Sequence, residues 1–225
     1  LKTINHSAFH DMTNLTSINC PNVTYIDGNA FVRCKSLQET IFGAVSFLGG
    51  HAFYQAQTSP HLYFSELTSL NYNTFSGVTK LVSVDFPKLT VMDNAALTGS
   101  VATAVFGTVT SVGGTAFLGA RLRNLTIVQN STTNSISSVC TNLYNKGQSG
   151  DLESFTFQMY TSGTNAEIQS RAISLSNGTY SNYSLLAPTT TRTLSIKVEG
   201  FPDISSLLYN TLFNKLNING TIYNL

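Results

Sequence analysis

The chain has 225 residues, 12 Lys and Arg against 11 Asp and Glu, and a formal net charge of +1. It has no basic run to meet a phosphate backbone, which excludes nucleic acid as a partner, and no apolar run near the roughly 18 residues a membrane helix needs. Apolar residues make up 42% and charged ones only 10%, so a sizeable core is available and surface polarity falls to Ser, Thr and Asn, which suits an extracellular surface.

From the first residue the chain repeats. Phe9, Phe31, Phe53 and Phe75 are evenly spaced, each after a small residue: Ala8, Ala30, Ala52 or Thr74. Ile4, Ile26, Leu48 and Leu70 keep the same step, as do Leu1, Val23, Val45 and Leu67. Apolar columns recurring with a period of this length mean a solenoid, each unit burying its face only against its neighbours. Because Leu1 falls mid-repeat with no polar cap, the chain is expected to be a fragment or processed form, and exposed solenoid ends make end-to-end dimers an expectation.

Unit starts fall at Leu15, Leu37, Ser59, Leu81, Val101 and Leu122, evenly spaced as far as Leu81 and slightly closer after it. Positions three and five later form the inward face of a short strand: Ile18 and Cys20, Thr40 and Phe42, Leu62 and Phe64, Val84 and Phe86, Ala104 and Phe106, Leu125 and Ile127. These strands are expected to stack into one parallel sheet. A second apolar pair builds the return leg: Val23 and Ile26, Val45 and Leu48, Leu67 and Leu70, Leu89 and Met92, Val109 and Val112. The small–aromatic step follows and ends at Leu97 and Phe117 in the later units. Asp27-Gly28, Gly49-Gly50 and Gly113-Gly114 recur at one place in the unit and read as turns between legs, not as phosphate loops.

Beyond Val128 the register loosens. A short helix is expected over Ser135 to Asn145. Strand signals return at Leu152, Phe155 and Phe157, at Ile173 and Leu175, at Leu194 and Ile196, and at Leu216 and Ile218. Pro202 and Asp203 open a second short helix over Ile204 to Leu212. The chain therefore reads as 1–128 regular repeats and 129–225 an irregular continuation of the solenoid, with a separate C-terminal domain as the alternative. The fold class is a β-rich repeat solenoid with a parallel sheet face and short helices toward the C-terminus.

The pattern L-x-x-I-x-C-P-x-V-x-x-I-x-x-x-A-F-x-x-C from Leu15 to Cys34 resembles the BspA-like leucine-rich repeat, and Leu81 to Leu97 is a second match. The trailing Cys and the Pro are missing from several units. The resemblance implies a right-handed curved array on bacterial or protist surface proteins, adhesion to host matrix or to other cells, and no catalytic residues.

Candidate chemistry is sparse. His6 and His10 are four apart but flank the Ala8-Phe9 turn with no third ligand in sequence, so a metal site is not expected. The acidic residues are scattered and no G-x-S-x-G elbow is present. No cofactor is implied, and the chain is not expected to be an enzyme. Cys20, Cys34 and Cys140 are odd in number, which excludes a complete disulfide framework; Cys20 on an inward strand position and Cys34 on the turn after Phe31 read as small buried hydrophobes, with a Cys20–Cys34 bridge or a zinc site as the sharper alternative. Eight N-glycosylation sequons matter only in a eukaryotic secretory setting.

Strand alternation turns two columns outward: Ser17, Glu39, His61, Ser83, Thr103, Asn124 and Asn19, Ile41, Tyr63, Asp85, Val105, Thr126. Ile41, Tyr63 and Val105 are apolar where a solvated sheet is polar, which marks a binding patch, although strands favour such residues anyway. Glu39, Ile41, His61, Tyr63, Asp85 and Val105 are the candidate ligand-facing residues. The expected function is a non-catalytic interaction module of a secreted or surface-anchored protein, binding a host or neighbouring-cell surface protein or a glycan. The alternative is a spacer that presents another domain.

Overall fold

A computed structural model of the chain describes residues 1–99, 101–107, 109–117, 120, 122–129, 154–160, 191–197, 214–218 and 220–224. The expected helices over 135–145 and 204–212, and the strand signal at 173–175, lie outside these residues.

The repeats form a parallel β-solenoid. Each unit supplies a front strand and a two-residue return strand. The first units give β1 (Thr3–Ile4), β2 (Ser17–Cys20), β3 (Tyr25–Ile26), β4 (Glu39–Phe42) and β5 (Phe47–Leu48). Next come β6 (His61–Tyr63), β7 (Ser69–Leu70), β8 (Ser83–Phe86), β9 (Val91–Met92), β10 (Thr103–Phe106) and β11 (Ser111–Val112). The later strands are β12 (Asn124–Gln129), β13 (Ser154–Tyr160), β14 (Thr191–Lys197), β15 (Lys215–Ile218) and β16 (Thr221–Asn224). Front strands pair in parallel with the predicted columns in register: Ile18 opposite Thr40, Leu62 opposite Val84, Val84 opposite Ala104, and Ala104 opposite Leu125. The sheet continues in parallel through β13, β14 and β15, where Leu194 lies opposite Leu216. It ends on β16, which is antiparallel to β15.

The inward columns build the core. Phe31, Phe53 and Phe75 are fully buried, and Phe9 packs on their N-terminal end. Their rings stack along the solenoid axis at 5.1, 5.0 and 5.4 Å. A second ladder runs down the front strands, with Phe42, Phe64, Phe86 and Phe106 at 6.4, 5.7 and 6.3 Å. Leu97 replaces the aromatic in the fifth unit. There Phe75 leans on Phe86 at 6.2 Å, a contact between the two ladders like those Phe42 makes with Phe31 and Phe53 at 5.8 and 6.1 Å. Phe106 meets Phe117 at 6.4 Å in the next unit.

Turn chemistry repeats as strictly as the core. Ser7, Asn29, His51, Asn73 and Ala95 all have positive φ, as do Asp11, Arg33, Gln55, Gly77 and Gly99. Each set keeps the repeat step, so the unit demands two left-handed residues at fixed places whatever side chain stands there. Gly49 is required for a different reason. A Cβ there would lie 2.2 Å from the Gly28 nitrogen, because the backbones of successive turns touch at this point.

One expectation is corrected. The front strands do not form one continuous sheet. β2 and β4 make a two-stranded piece, and β6 starts a separate eight-stranded one. The return strands break at the same level, into β1-β3-β5 and β7-β9-β11. The cause on the front face is Pro60. In regular units the residue at this position donates its N–H to the unit before, as Gln38 does to Thr16 and Val82 to Pro60 itself, at 2.8 and 2.7 Å. Pro60 has no N–H to give. Side chains take over at this seam. The Thr40 N–H donates to Ser59 Oγ at 2.8 Å, and the Asn71 amide donates to the Leu48 carbonyl, which elsewhere would receive a backbone N–H. The turn leg is unbroken: His51, Phe53 and Gln55 donate their N–H groups to Tyr72, Thr74 and Ser76.

Candidate interaction surface on the sheet face

The front strands alternate as their sequence dictates. In β6 and β8 the inward Leu62, Val84 and Phe86 are buried, while the residues between them face out. Two outward rows result. Tyr63, Asp85, Val105 and Thr126 lie side by side in one row, continued by Thr156, Thr193 and Lys215. His61, Ser83, Thr103 and Asn124 form the other, continued by Ser154 and Thr191. Asn19 pairs with Ile41 and Ser17 with Glu39 on the far side of the seam. Of the six candidate residues, four are therefore joined by sheet register: His61, Tyr63, Asp85 and Val105. Glu39 and Ile41 belong to the neighbouring piece.

Exposure separates their roles. Tyr63 is 63% exposed and Ile41 41%, both large apolar side chains offered to solvent. Glu39 and His61 are exposed, and Asp85 and Val105 half-buried. His61 Nδ1 lies 2.6 Å from Ser83 Oγ, so the imidazole is held along its row. Further on, Ser154 Oγ donates to Asn124 Oδ1 at 2.6 Å. Burial pushes the Asp85 carboxyl above the usual carboxylate range.

The other acids on the array are satisfied or solvated. Asp11 receives Arg33 Nε and a second guanidinium nitrogen, which hold its carboxyl below the ordinary range. Glu66 receives Lys88 Nζ at 2.6 Å. Asp27 and Asp93 accept the backbone N–H of the following residue at 2.7 and 2.6 Å.

The histidine and cysteine readings resolve locally. His6 Nε2 lies 3.0 Å from Asn29 Nδ2 and His10 Nδ1 2.9 Å from Asp11, so the two rings have separate partners. Among the described residues no group of three or more His, Cys, Asp and Glu side chains is placed to hold a metal ion. Cys20 and Cys34 are free thiols, not a bridge. Cys34 is fully buried and donates to the Phe9 carbonyl at 3.0 Å, and burial pushes its thiol up to about 11. Cys20 is half-buried.

The return face carries features not expected from the sequence. Tyr25 and Phe47 stack at 4.4 Å. Ser46, Thr90 and Thr110 each donate a hydroxyl to the carbonyl of Thr24, Thr68 and Thr90 in the preceding unit. Their signal was present: hydroxyl residues occupy positions 24, 46, 68, 90 and 110. The His51 ring meets Tyr54 and Tyr72 edge-on at 5.3 and 5.2 Å.

The fixed repeat step, the small–aromatic pair, the phenylalanine ladders and the parallel front strands match a described repeat type. Six copies of the BspA type leucine rich repeat region cover residues 1–103. These residues are a BspA-type leucine-rich-repeat array. A repeat array of this kind is a protein-interaction scaffold. Searches of curated proteins and of solved structures return no match. No helix among the described residues is long and apolar enough to cross a membrane.

Proposed function

We propose that the BspA-type array is an adhesion module, displayed outside the cell on a larger protein, that binds a surface or matrix protein or a glycan through its front sheet face. The observation that carries this reading is the exposure of Tyr63 and Ile41 on outward strand positions. Water-facing positions on a half-buried sheet are ordinarily polar, and tyrosine contributes large contact area at low entropic cost when a partner docks. The low charge content and the wealth of Ser, Thr and Asn suit an extracellular setting.

The test is binding of the purified chain to immobilised matrix proteins and a glycan panel, with an Ile41→Asp/Tyr63→Ser variant alongside. Both side chains point away from the core, so the variant keeps the wild-type circular dichroism spectrum. A saturable interaction lost in the folded variant is the expected result. An interaction of unchanged affinity removes the front face from consideration.

A further inference from the structure

Among the described acids, Asp85 alone is both half-buried and without a partner. Asp11 and Glu66 have cations from adjacent units, Asp27 and Asp93 have backbone N–H groups, and Glu39 is exposed to water. The Asp85 carboxylate has no hydrogen bond or ion pair among the described residues, yet it stands between two side chains that shield it. Tyr63 lies on one side in β6 and Val105 on the other in β10. Leaving a carboxylate partly desolvated and unpaired is unfavourable, and this burial raises its proton affinity.

The surrounding charge is one-sided. Between positions 17 and 126 the two outward rows contain Glu39 and Asp85, and no Lys or Arg. Along the Asp85 row the first cation is Lys215, five strands away, so the stretch of the front face around Asp85 is acidic. The neighbouring groups are Ser83, with its hydroxyl held by His61, and the exposed ring of Tyr63.

We infer that Asp85 and Tyr63 form a receptor for an arginine side chain presented by a protein partner. This rests on the front face being the binding surface and adds the chemistry it selects. A guanidinium is planar, donates two parallel N–H groups to a carboxylate, and stacks on an aromatic face. Asp85 supplies the acceptor pair and Tyr63 the ring. Val105 closes the far side and keeps water from the pair. An ammonium group satisfies the charge but neither the fork nor the stack, so arginine is preferred over lysine.

Panning a displayed library of random short peptides against the full chain tests this, with Asp85→Asn and Tyr63→Ser variants as counter-targets. Asp85→Asn keeps the shape and removes a desolvated charge, so the fold is retained. The expected result is enrichment of arginine-bearing peptides. Their affinity falls at least tenfold on Asp85→Asn, on Tyr63→Ser, and when the peptide arginine is replaced by citrulline. Peptides that lose affinity on Tyr63→Ser but bind Asp85→Asn as tightly as wild type overturn the arginine receptor and leave the front-face reading standing. A selection that yields no binder, or only binders indifferent to both variants, overturns the receptor and counts against the front face.

Discussion

Phe53 sits at the centre of the turn-leg ladder and offers the sharpest test of how this array is held together. It is fully buried, stacked on Phe31 at 5.0 Å and 10° and on Phe75 at 5.4 Å and 11°, with Phe42 edge-on at 6.1 Å. Truncating a core Phe to Ala costs about 3–5 kcal/mol. Each favourable ring pair adds about 0.5–1.5 kcal/mol beyond buried area. Three such pairs place Phe53→Ala at the upper end, about 4–5 kcal/mol. In a chain of this size each kcal/mol moves Tm by about 2–4 °C, so the drop is about 8–20 °C. Phe53→Leu keeps most of the volume, and Leu97 occupies the same column in a later unit. It loses only the ring pairs, at about 1.5–4.5 kcal/mol. Urea unfolding of these variants, extended to double mutants, isolates the neighbour term. Phe31→Leu with Phe53→Leu is expected to show a coupling of about 0.5–1.5 kcal/mol, while Phe31→Leu with Phe75→Leu, whose rings do not touch, shows less than about 0.5. Equal couplings, or a Phe53→Ala cost under about 2 kcal/mol, refute stacking between adjacent units as the source of stability.

Two further predictions use smaller perturbations. Gly49→Ala places a Cβ against the Gly28 backbone and is expected to cost about 3 kcal/mol or more, while Gly114→Ala, with nothing within 4 Å, stays within about 0.5 kcal/mol; thermal melts of the pair check the contrast. Cys34 is expected to resist iodoacetamide at pH 8 in the folded chain while Cys20 is labelled, read by peptide mass mapping. Its folded thiol ionises at about 11 against an ordinary 9.0. The unfolded state therefore loses its proton first, and stability falls as pH rises from about 9 through about 11. A Cys34→Ala variant removes that slope.

Much of this architecture is legible in the sequence because a solenoid repeats its physics. The columns Phe31–Phe53–Phe75 and Ile26–Leu48–Leu70 are apolar for the same reason in every unit, and the spacing alone exposes them. The cross-unit ion pairs obey the same step, since Asp11 and Arg33, and Glu66 and Lys88, each stand one repeat apart. Stepping from Asp85 along its row leads to Tyr63 and Val105, so its lack of a cation was readable in principle. Its burial was not, because exposure depends on how neighbouring side chains lean. The antiparallel β16 has a local signal that the apolar columns do not carry, an Asn-Gly pair at 219–220 between Ile218 and Thr221. The seam was the hardest to read. Ser59 marks a weak unit start, but the break follows from one missing N–H at Pro60, a backbone property that no hydrophobic column reports.

That seam runs between Ile41 and Tyr63, the two most exposed apolar residues of the candidate surface, so its strength bears on the site. Ser59 Oγ accepts the Thr40 N–H at 2.8 Å and also lies 3.1 Å from Thr40 Oγ1. Replacing Ser59 with Ala leaves the half-buried Thr40 N–H without its acceptor. The expected cost is about 1–3 kcal/mol. The exposed Ser17 on the outward row is the control, at under about 0.5 kcal/mol for Ser17→Ala. Amide exchange distinguishes a local opening from general destabilisation. In Ser59→Ala the Thr40 amide is expected to exchange faster, while the Thr103 amide, bonded to the Val82 carbonyl at 3.2 Å in a regular unit, keeps its rate. If both amides speed up together, the seam opens only with the whole array. If neither changes, the Ser59 hydroxyl does not hold the two pieces of the front face together, and the turn leg and the Phe53–Phe75 stack are enough to keep Ile41 and Tyr63 on one surface.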